Sequence, residues 1–180
     1  MSKNNGTVRI LGILVVIAGA IMAIAGAVTW GAVTSNLSAE KVIVSKDVTF
    51  GGSKVNSPWT AWYQAAAIKE HSLKASNGLT YAELGDAINA KKAELKAQGV
   101  SDADAAKDAD VVALTGQRTT VMNGSFLRAS LFTSVVSFGV AFFAFGVGVV
   151  SLLIGWALIK LSSVAADGAV SQPARVDPAV

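Results

Sequence analysis

The stretch ASLFTSVVSFGVAFFAFGVGVVSLLIGWALIK, residues 129–160, decides the fold of this chain. It follows Arg128, and no further charged side chain occurs until Lys160. A second charge-free stretch lies near the N-terminus, between Arg9 and Glu40. Because about 20 apolar residues are enough to cross a bilayer core, and both stretches are longer than that, they predict that the chain crosses a membrane twice.

The composition agrees with a membrane protein. Hydrophobic residues make up 52% of the 180-residue chain, and charged residues only 15%, whereas an ordinary soluble domain has about a quarter charged residues. The net charge of +3 is spread along the chain without a run of Lys or Arg. We therefore expect no nucleic-acid partner. The absence of cysteine excludes disulfides, thiolate metal sites and cysteine nucleophiles.

The charge pattern also predicts a topology. Lys3 and Arg9 precede the first span without any acidic residue, and the positive-inside bias places this end in the cytoplasm. Two spans return the C-terminus to the same side. The predicted segments are a cytoplasmic N-terminus (1–9), a first transmembrane helix (10–36), an extracytoplasmic domain (37–128), a second transmembrane helix (129–160) and a disordered cytoplasmic tail (161–180).

The fold class that follows is a mainly α membrane protein. It is an antiparallel two-helix transmembrane hairpin with a small, mostly helical extracytoplasmic domain. The first span could also be a secretory signal, because the triplet Ala25-Gly26-Ala27 permits cleavage before Val28. Its apolar run is long for a signal peptide, which favours an uncleaved anchor.

Small residues repeat along the second span at heptad spacing. They are Ser130, Ser134, Ser137, Ala141, Ala144, Gly148, Ser151 and Gly155. Such a seam lets another helix backbone approach closely, which is how helices associate in lipid. The heptad period predicts a left-handed crossing of about 20°.

The first span carries a matching stripe. It consists of Gly12, Val16, Gly19, Ala23, Gly26 and Trp30. One antiparallel register sets Gly12 beside Gly155, Val16 beside Ser151, Gly19 beside Gly148, Ala23 beside Ala144 and Gly26 beside Ala141. The charged residues that bound the two spans agree closely with this register. The predicted helix-packing residues are therefore Gly12, Gly19, Ala23, Gly26, Ser137, Ala141, Ala144, Gly148, Ser151 and Gly155.

Two interpretations of the seam remain open. The small residues close a hairpin within one chain, or they form an interface to a second copy or a partner protein. The bulkier residues Phe138, Phe142, Phe143 and Phe145 are expected to meet lipid or another subunit.

The segment between the spans begins with β-prone residues. Val42-Ile-Val44 and Val48-Thr-Phe50 precede Gly51-Gly52, a pattern that allows a short strand or β-hairpin. Ser57-Pro58 then provides an N-cap followed by proline at the first helical position. We expect the helix that follows to end at Asn77-Gly78, which favours a left-handed C-cap.

Two more helices are predicted after this one. Thr80-Tyr-Ala-Glu83 is a capping box that opens the second, and Gly99 ends it. Ser101-Asp-Ala-Asp104 opens the third, which is expected to end near Gly116. The apolar stripes of all these helices are thin and rich in alanine. The domain is therefore expected to be stabilised by docking on the membrane helices or on neighbours.

Trp59, Trp62 and Tyr63 form an aromatic cluster on the first of these helices. Such a cluster is most often core or an interfacial belt on the bilayer. It could also contact a sugar, a lipid headgroup or a partner. These three residues are the predicted ligand or partner contacts.

Residues suited to catalysis or metal binding are sparse. His71 is the chain's single histidine and is interpreted as a solvated helix residue. Asp102, Asp104, Asp108 and Asp110 do not fit a calcium-binding EF-hand loop, which requires glycine and glutamate at fixed later positions. These acids are interpreted as the solvated N-terminal face of a helix. We predict no catalytic residue, no metal site and no cofactor.

The chain resembles a family of small actinobacterial membrane proteins labelled "aromatic ring-opening dioxygenase". The similarity rests on Trp30 and on the runs Asn5-Gly-Thr-Val-Arg-Ile-Leu-Gly12, Thr80-Tyr-Ala-Glu-Leu84 and Asn123-Gly-Ser-Phe-Leu-Arg-Ala-Ser-Leu-Phe-Thr-Ser-Val-Val136. It covers residues 3–84 and 118–160, with 85–117 as an insertion, and it implies location in a bacterial plasma membrane. The label implies ring-cleavage chemistry at a non-haem iron held by two histidines and a carboxylate. With one histidine, a single copy cannot supply that ligand set.

The expected function is therefore non-enzymatic. The protein is predicted to make contacts with itself or with other membrane proteins, as a homo-oligomer or as an accessory subunit of a larger membrane complex. The alternative is an envelope lipid- or glycan-binding module that uses the aromatic cluster. Its expected partners are the lipid bilayer and other membrane proteins.

Overall fold

The computed structural model of the protein describes residues 3–170, and the side chains of residues 6–163. Its elements are five helices in chain order. They are α1 (Lys3–Ala39), α2 (Pro58–Ala75), α3 (Tyr81–Ala97), α4 (Asp102–Ala105) and α5 (Ala109–Val170). The expectation of a mainly α protein is confirmed.

The chain divides into two compact units. The hairpin unit comprises residues 1–32 and 139–180, and the central unit comprises residues 33–138. The long helices α1 and α5 each contribute to both units. The central unit therefore includes the end of α1 and the part of α5 up to Phe138, in addition to the segment between the predicted spans.

Two helices in the described part of the chain are long and apolar enough to cross a membrane. Their apolar segments are Gly6–Ala39 and Ala109–Ser163. Both form long helices because Ala, Leu, Ile and Val lack side chains that compete for backbone hydrogen bonds. Few of their side chains are buried within the protein, only 17% and 11% over the most apolar windows. Such exposed apolar helices fit a lipid surrounding better than water.

Local capping explains where α2 begins and ends. Ser57 is the N-cap and accepts the amide of Thr60, while the Thr60 hydroxyl accepts the amide of Ser57 at 3.1 Å. Pro58 occupies the first turn, where its missing N–H costs nothing. After Ala75 the chain turns through Asn77 and Gly78, both with positive φ, and the Gly78 amide donates to Leu73 O at 2.7 Å.

Capping residues also set the bounds of α3. Thr80 is its N-cap, and the Glu83 carboxylate accepts the Thr80 amide at 2.7 Å in a reciprocal capping box. Beyond Ala97, Gly99 adopts φ +84° and lets the Val100 amide reach Leu95 O at 3.0 Å. In both helices, side chains at the N-terminus and a glycine turn at the C-terminus thus satisfy backbone groups that would otherwise lack partners.

The third predicted helix was wrong. Residues 102–105 form only the short α4, and α5 begins at Ala109 and passes through Gly116 without a break. Asp108 starts α5 by accepting the amides of Asp110 and Val111 with its carboxylate. A single glycine costs a helix only about 1 kcal/mol, so it does not have to end one.

The helix bounds also differ from the predicted second span and tail. The helix that contains the 129–160 stretch starts well before that stretch, at Ala109, and continues to Val170. Residues 161–170 of the tail predicted as disordered are therefore helical. Residues 171–180 lie outside the described residues.

A β-hairpin does not form between α1 and α2. Within the described residues there is an isolated antiparallel bridge between Ile43 and Lys54 and no strand. Positive φ values at Phe50 and Gly52 turn the chain sharply in this segment. The β-prone runs are too short between such turns to build a ladder.

This loop instead supplies side chains to the core of the central unit. Val44 and Val55 are buried together with Ala61 and Ala65 of α2 and Leu131 of α5. The partly buried residues around them include Leu37, Ile68, Phe132 and Val135. The small core of the central unit is therefore completed by apolar residues from those parts of the two long helices that belong to it.

Candidate functional site

The hairpin unit is held by backbone-to-backbone contact between α1 and α5. A Cβ atom added to Gly19 would lie 2.8 Å from the carbonyl oxygen of Gly148. The same atom on Gly12 would lie 3.0 Å from Gly155 O, and on Gly26 only 2.6 Å from Ala141 O. Real Cβ atoms essentially never come closer than 3.0 Å to such atoms. The two helices are therefore antiparallel and too close for any larger residue at these points.

The glycines of α5 face equally tight space. A Cβ on Gly148 would collide with the backbone nitrogen of Ala23 and would lie 2.7 Å from Gly19 O. On Gly155 it would lie 2.7 Å from Gly12 O. By contrast, Gly139 and Gly146 have nothing within 4 Å of such an atom. The close approach thus belongs to one face of α5, and that face meets α1 of the same chain.

Of the remaining predicted packing residues, three lie in the hairpin unit and one lies in the central unit. Ser151 lies at the contact, because its Cβ would be 2.9 Å from a Cβ added to Gly19. Ala23 and Ala144 are half-buried in the hairpin unit. Ser137 belongs to the central unit, where its hydroxyl donates to Thr133 O at 2.8 Å within the same helix.

The predicted aromatic cluster is divided by the structure. Tyr63 packs against the core, with its ring centroid 5.5 Å from that of Phe50. Trp59 and Trp62 are 68% and 53% exposed. The ring of Trp62 makes an edge contact with Phe132, with 5.3 Å between the centroids. The tryptophans are thus a surface feature of the central unit, whereas the tyrosine is largely structural.

Arg128 stands out among the charged groups of the central unit. Its Nε is inaccessible to solvent and has no hydrogen-bond partner among the described residues. The guanidinium carbon lies 5.7 Å from the ring centroid of Phe132. In the sequence, Arg128 is apparent only as the charge that precedes the 129–160 stretch. A single sequence carries no signal for the burial of one side-chain nitrogen.

His71 is paired, which the sequence analysis missed. Its Nε2 lies 2.8 Å from Asp47 Oδ2, and both side chains remain partly exposed. Hydrogen bonds from the Ser45 side chain and from His71 lower the pKa of Asp47 to about 2. The two partners lie on the loop and on α2, too far apart in the sequence for a local pattern to connect them.

The acidic residues after Ser101 serve separate structural purposes. The Ser101 hydroxyl donates to Asp104 at 2.6 Å and, as the largest cause, lowers the pKa of that carboxyl below its usual value. Asp108 caps α5, and Asp110 pairs with Lys91 at 3.2 Å. Among the described side chains, those of residues 6–163, no group of three or more His, Cys, Asp or Glu is placed to hold a metal ion.

No protein-family model, no curated protein and no solved structure matches this chain.

Proposed function

We propose that this chain is a non-enzymatic, two-span protein of a bacterial plasma membrane that makes protein contacts, as a homo-oligomer or as an accessory subunit of a larger membrane complex. The hairpin unit anchors it. Both termini lie in the cytoplasm, and residues 37–128 are extracytoplasmic. The suspected family, small actinobacterial membrane proteins labelled as dioxygenases, agrees with the two spans but not with the ring-cleavage chemistry.

The observation that carries the proposal is an exposed apolar strip on α5 within the central unit. Met122, Phe126 and Leu127 are 39%, 61% and 58% exposed. They precede Arg128, so they lie outside the charge-free stretch. Large apolar side chains left exposed outside a charge-free stretch are typical of surfaces that meet another protein.

The close packing in the hairpin unit limits which surfaces remain for contacts with other proteins. The glycine face of α5 is already occupied by α1 of the same chain. Contacts between copies inside the bilayer would have to use the outer faces, where Phe142 and Phe143 are 68% and 69% exposed. These rings pack equally well against lipid, which is why the strip on the central unit supports the proposal better.

The polar groups of the central unit support a non-enzymatic role. Its histidine is bound to Asp47, Asp108 caps a helix, and Asp110 pairs with Lys91. A general base needs a neighbour to activate and room for a substrate. The serine at this pair, Ser45, hydrogen-bonds the Asp47 carboxylate, so its hydroxyl is engaged by the acid rather than by the imidazole.

Purification in mild detergent with measurement of the complex mass tests the proposal. We expect the wild-type chain to run as an oligomer or with co-purifying membrane proteins. Phe126→Ser combined with Leu127→Ser should release it as a monomer. Val112→Ser, at a 55% exposed position on the same helix, is the matched control and should leave the complex intact. A wild-type protein that is strictly monomeric and pure would contradict the proposal.

The topology has a direct test because the chain has no cysteine. Single cysteines can be placed at two exposed positions, Lys92→Cys in α3 and Ser163→Cys in α5. A membrane-impermeant maleimide should label position 92 in intact spheroplasts and position 163 only after lysis. The reverse pattern would invert the proposed orientation.

A second candidate function rests on the exposed tryptophans. Trp59 and Trp62 present two indole rings one helical turn apart, which fits contact with a lipid headgroup region or a glycan. Their fluorescence should be measured in a Trp30→Phe, Trp156→Phe background against vesicles and against envelope glycan fragments. A spectrum unchanged by every one of these ligands would remove this candidate.

A further inference from the structure

A cavity of about 370 Å³ lies in the central unit between α2, the start of α3 and α5. Two cationic side chains line it, Lys69 and Arg128, and no acid is among its lining residues. Four residues with hydroxyl groups also line the cavity, Ser72, Thr80, Tyr81 and Ser125. The hydroxyls of Ser72 and Thr80 already donate to Ile68 O and to the Glu83 carboxylate, so Tyr81 and Ser125 supply the hydroxyl donors. The cavity therefore combines positive charge with hydrogen-bond donors.

Arg128 is the most informative part of this wall. Its Nε has no hydrogen-bond partner among the described residues, although the atom is shielded from solvent. An unsatisfied charged donor is costly, and a guanidinium offers a planar fork of donors that matches the oxygens of a phosphate or carboxylate. The side chain is thus suited to an anion that enters the cavity.

The start of α3 adds a second source of positive potential. Tyr81 and Ala82 occupy the first turn of this 17-residue helix, and both line the cavity. The first amides of a helix lack intrahelical acceptors, and the helix dipole is positive at this end. The acid of the same turn, Glu83, is bound to the amide and the hydroxyl of Thr80 at 2.7 Å each.

A third cation supports this wall from outside the cavity lining. The Arg118 guanidinium lies 4.0 Å from the ring centroid of Tyr81, and its Nε donates to Tyr81 O at 3.3 Å. The contact holds Tyr81 in place. It also adds a positive charge beside the helix start.

We propose that this cavity binds a phosphate ester, with Arg128 and Lys69 as the charged contacts and the first α3 amides and the hydroxyls of Tyr81 and Ser125 as further donors. The lining shares no residue with the apolar strip on α5 or with the exposed tryptophans, so the site goes beyond the proposed function. The ester is supplied either by a lipid headgroup or by a soluble phosphate compound. The chemistry of recognition is the same for both sources.

Calorimetric titration of the full-length protein in an uncharged detergent tests the site. The probes are inorganic phosphate, short-chain phosphatidylglycerol and, as a sugar headgroup without phosphate, octyl glucoside. Binding of phosphatidylglycerol alone identifies a lipid headgroup site, and binding of inorganic phosphate identifies a site for the phosphate itself. Binding of neither phosphate probe, or equal binding of octyl glucoside, overturns the proposal.

Variants locate the binding in the cavity. Lys69→Gln and Arg128→Gln should each weaken binding about tenfold or more, because each removes a charge-assisted hydrogen bond. Lys92→Gln, an exposed lysine of α3 outside the lining, is the control with the same charge change and should bind like wild type. Lys69 is exposed, so its substitution keeps the test valid even if Arg128→Gln fails to fold. Wild-type affinity in Lys69→Gln and in every folded Arg128 variant would overturn the proposal.

Discussion

In the hairpin unit two helices touch through glycine backbone, whereas in the central unit short helices and a loop pack around small side chains and end on capping residues. The hairpin contact at Gly19 and Gly148 leaves no room for even one added carbon. The central core consists mainly of valine, alanine and leucine, with Val44, Val55 and Leu84 buried. One unit is therefore sensitive to added volume and the other to lost volume.

The largest effect is expected from adding volume at the hairpin contact. Gly148→Leu would drive a side chain into the backbone of Ala23, so we expect α1 and α5 to separate, at a cost of about 3 kcal/mol or more. Thermal unfolding and particle size in detergent measure this. Gly146→Leu, where the added side chain meets open space, is the control and should behave like wild type. Unchanged stability and size in Gly148→Leu would contradict the packing described above.

A loss of volume should break the central unit instead. Leu84 of α3 is fully buried, and Leu84→Ala should lower the free energy of unfolding by about 2 to 5 kcal/mol through lost transfer energy and a residual cavity. A Trp30→Phe, Trp156→Phe background leaves both remaining tryptophans in the central unit, so fluorescence then reports on that unit alone.

Val112→Ala is the surface control for this experiment, because Val112 is 55% exposed. Its effect should stay within about 0.5 kcal/mol. If Leu84→Ala proved equally mild, the core assigned to the central unit would be incorrect.

The smallest effect concerns the pair of Asp47 and His71. Hydrogen bonds from Ser45 and His71 lower the pKa of Asp47 from 3.8 to about 2 in the folded protein. Since the unfolded chain binds the proton more readily, this carboxylate contributes stability above pH 3.8, and the contribution is lost as the pH falls towards 2. The difference in melting temperature between wild type and Asp47→Asn should shrink over that range.

Asp86→Asn provides the comparison for this pH dependence. Asp86 is an exposed acid of α3, and Asp86→Asn makes the same charge change without touching the pair of Asp47 and His71. A difference between wild type and Asp47→Asn that stays constant throughout the acid range would mean that the carboxylate is not held as described.

The two units also differ in how far the sequence predicts them. The charge-free stretches predict the two long apolar helices, and this expectation is confirmed because length and hydropathy are local properties. The antiparallel register of the two small-residue stripes predicts that Gly19 lies beside Gly148, and the structure brings this pair together. Such pairing is accessible to sequence reasoning because straight helices keep a fixed periodicity over many turns.

The central unit was predicted less well. The capping residues Ser57 and Thr80 begin helices where their sequence patterns indicate. The β-hairpin and the stop at Gly116 were wrong. A short β-prone run and a single glycine have weak local preferences, and packing against distant residues overrides them.

The candidate sites were also predicted only in part from the sequence. The sequence identified Trp59, Trp62 and Tyr63 as a cluster, but the structure separates the exposed tryptophans from the packed tyrosine. The cavity with Lys69 and Arg128 had no sequence signal, since its lining comes from three helices that are distant along the chain.

By itself, then, the sequence determined the mainly α class of this protein, its two long apolar helices and the periodic small-residue face, because all three depend on residues within a few turns of one another. Only the tertiary structure decided the continuous α5, the pairing of His71 with Asp47 and the cationic cavity around Arg128. Each of these depends on contacts or caps chosen by the whole fold, and such choices are made by packing and electrostatics across long sequence separations.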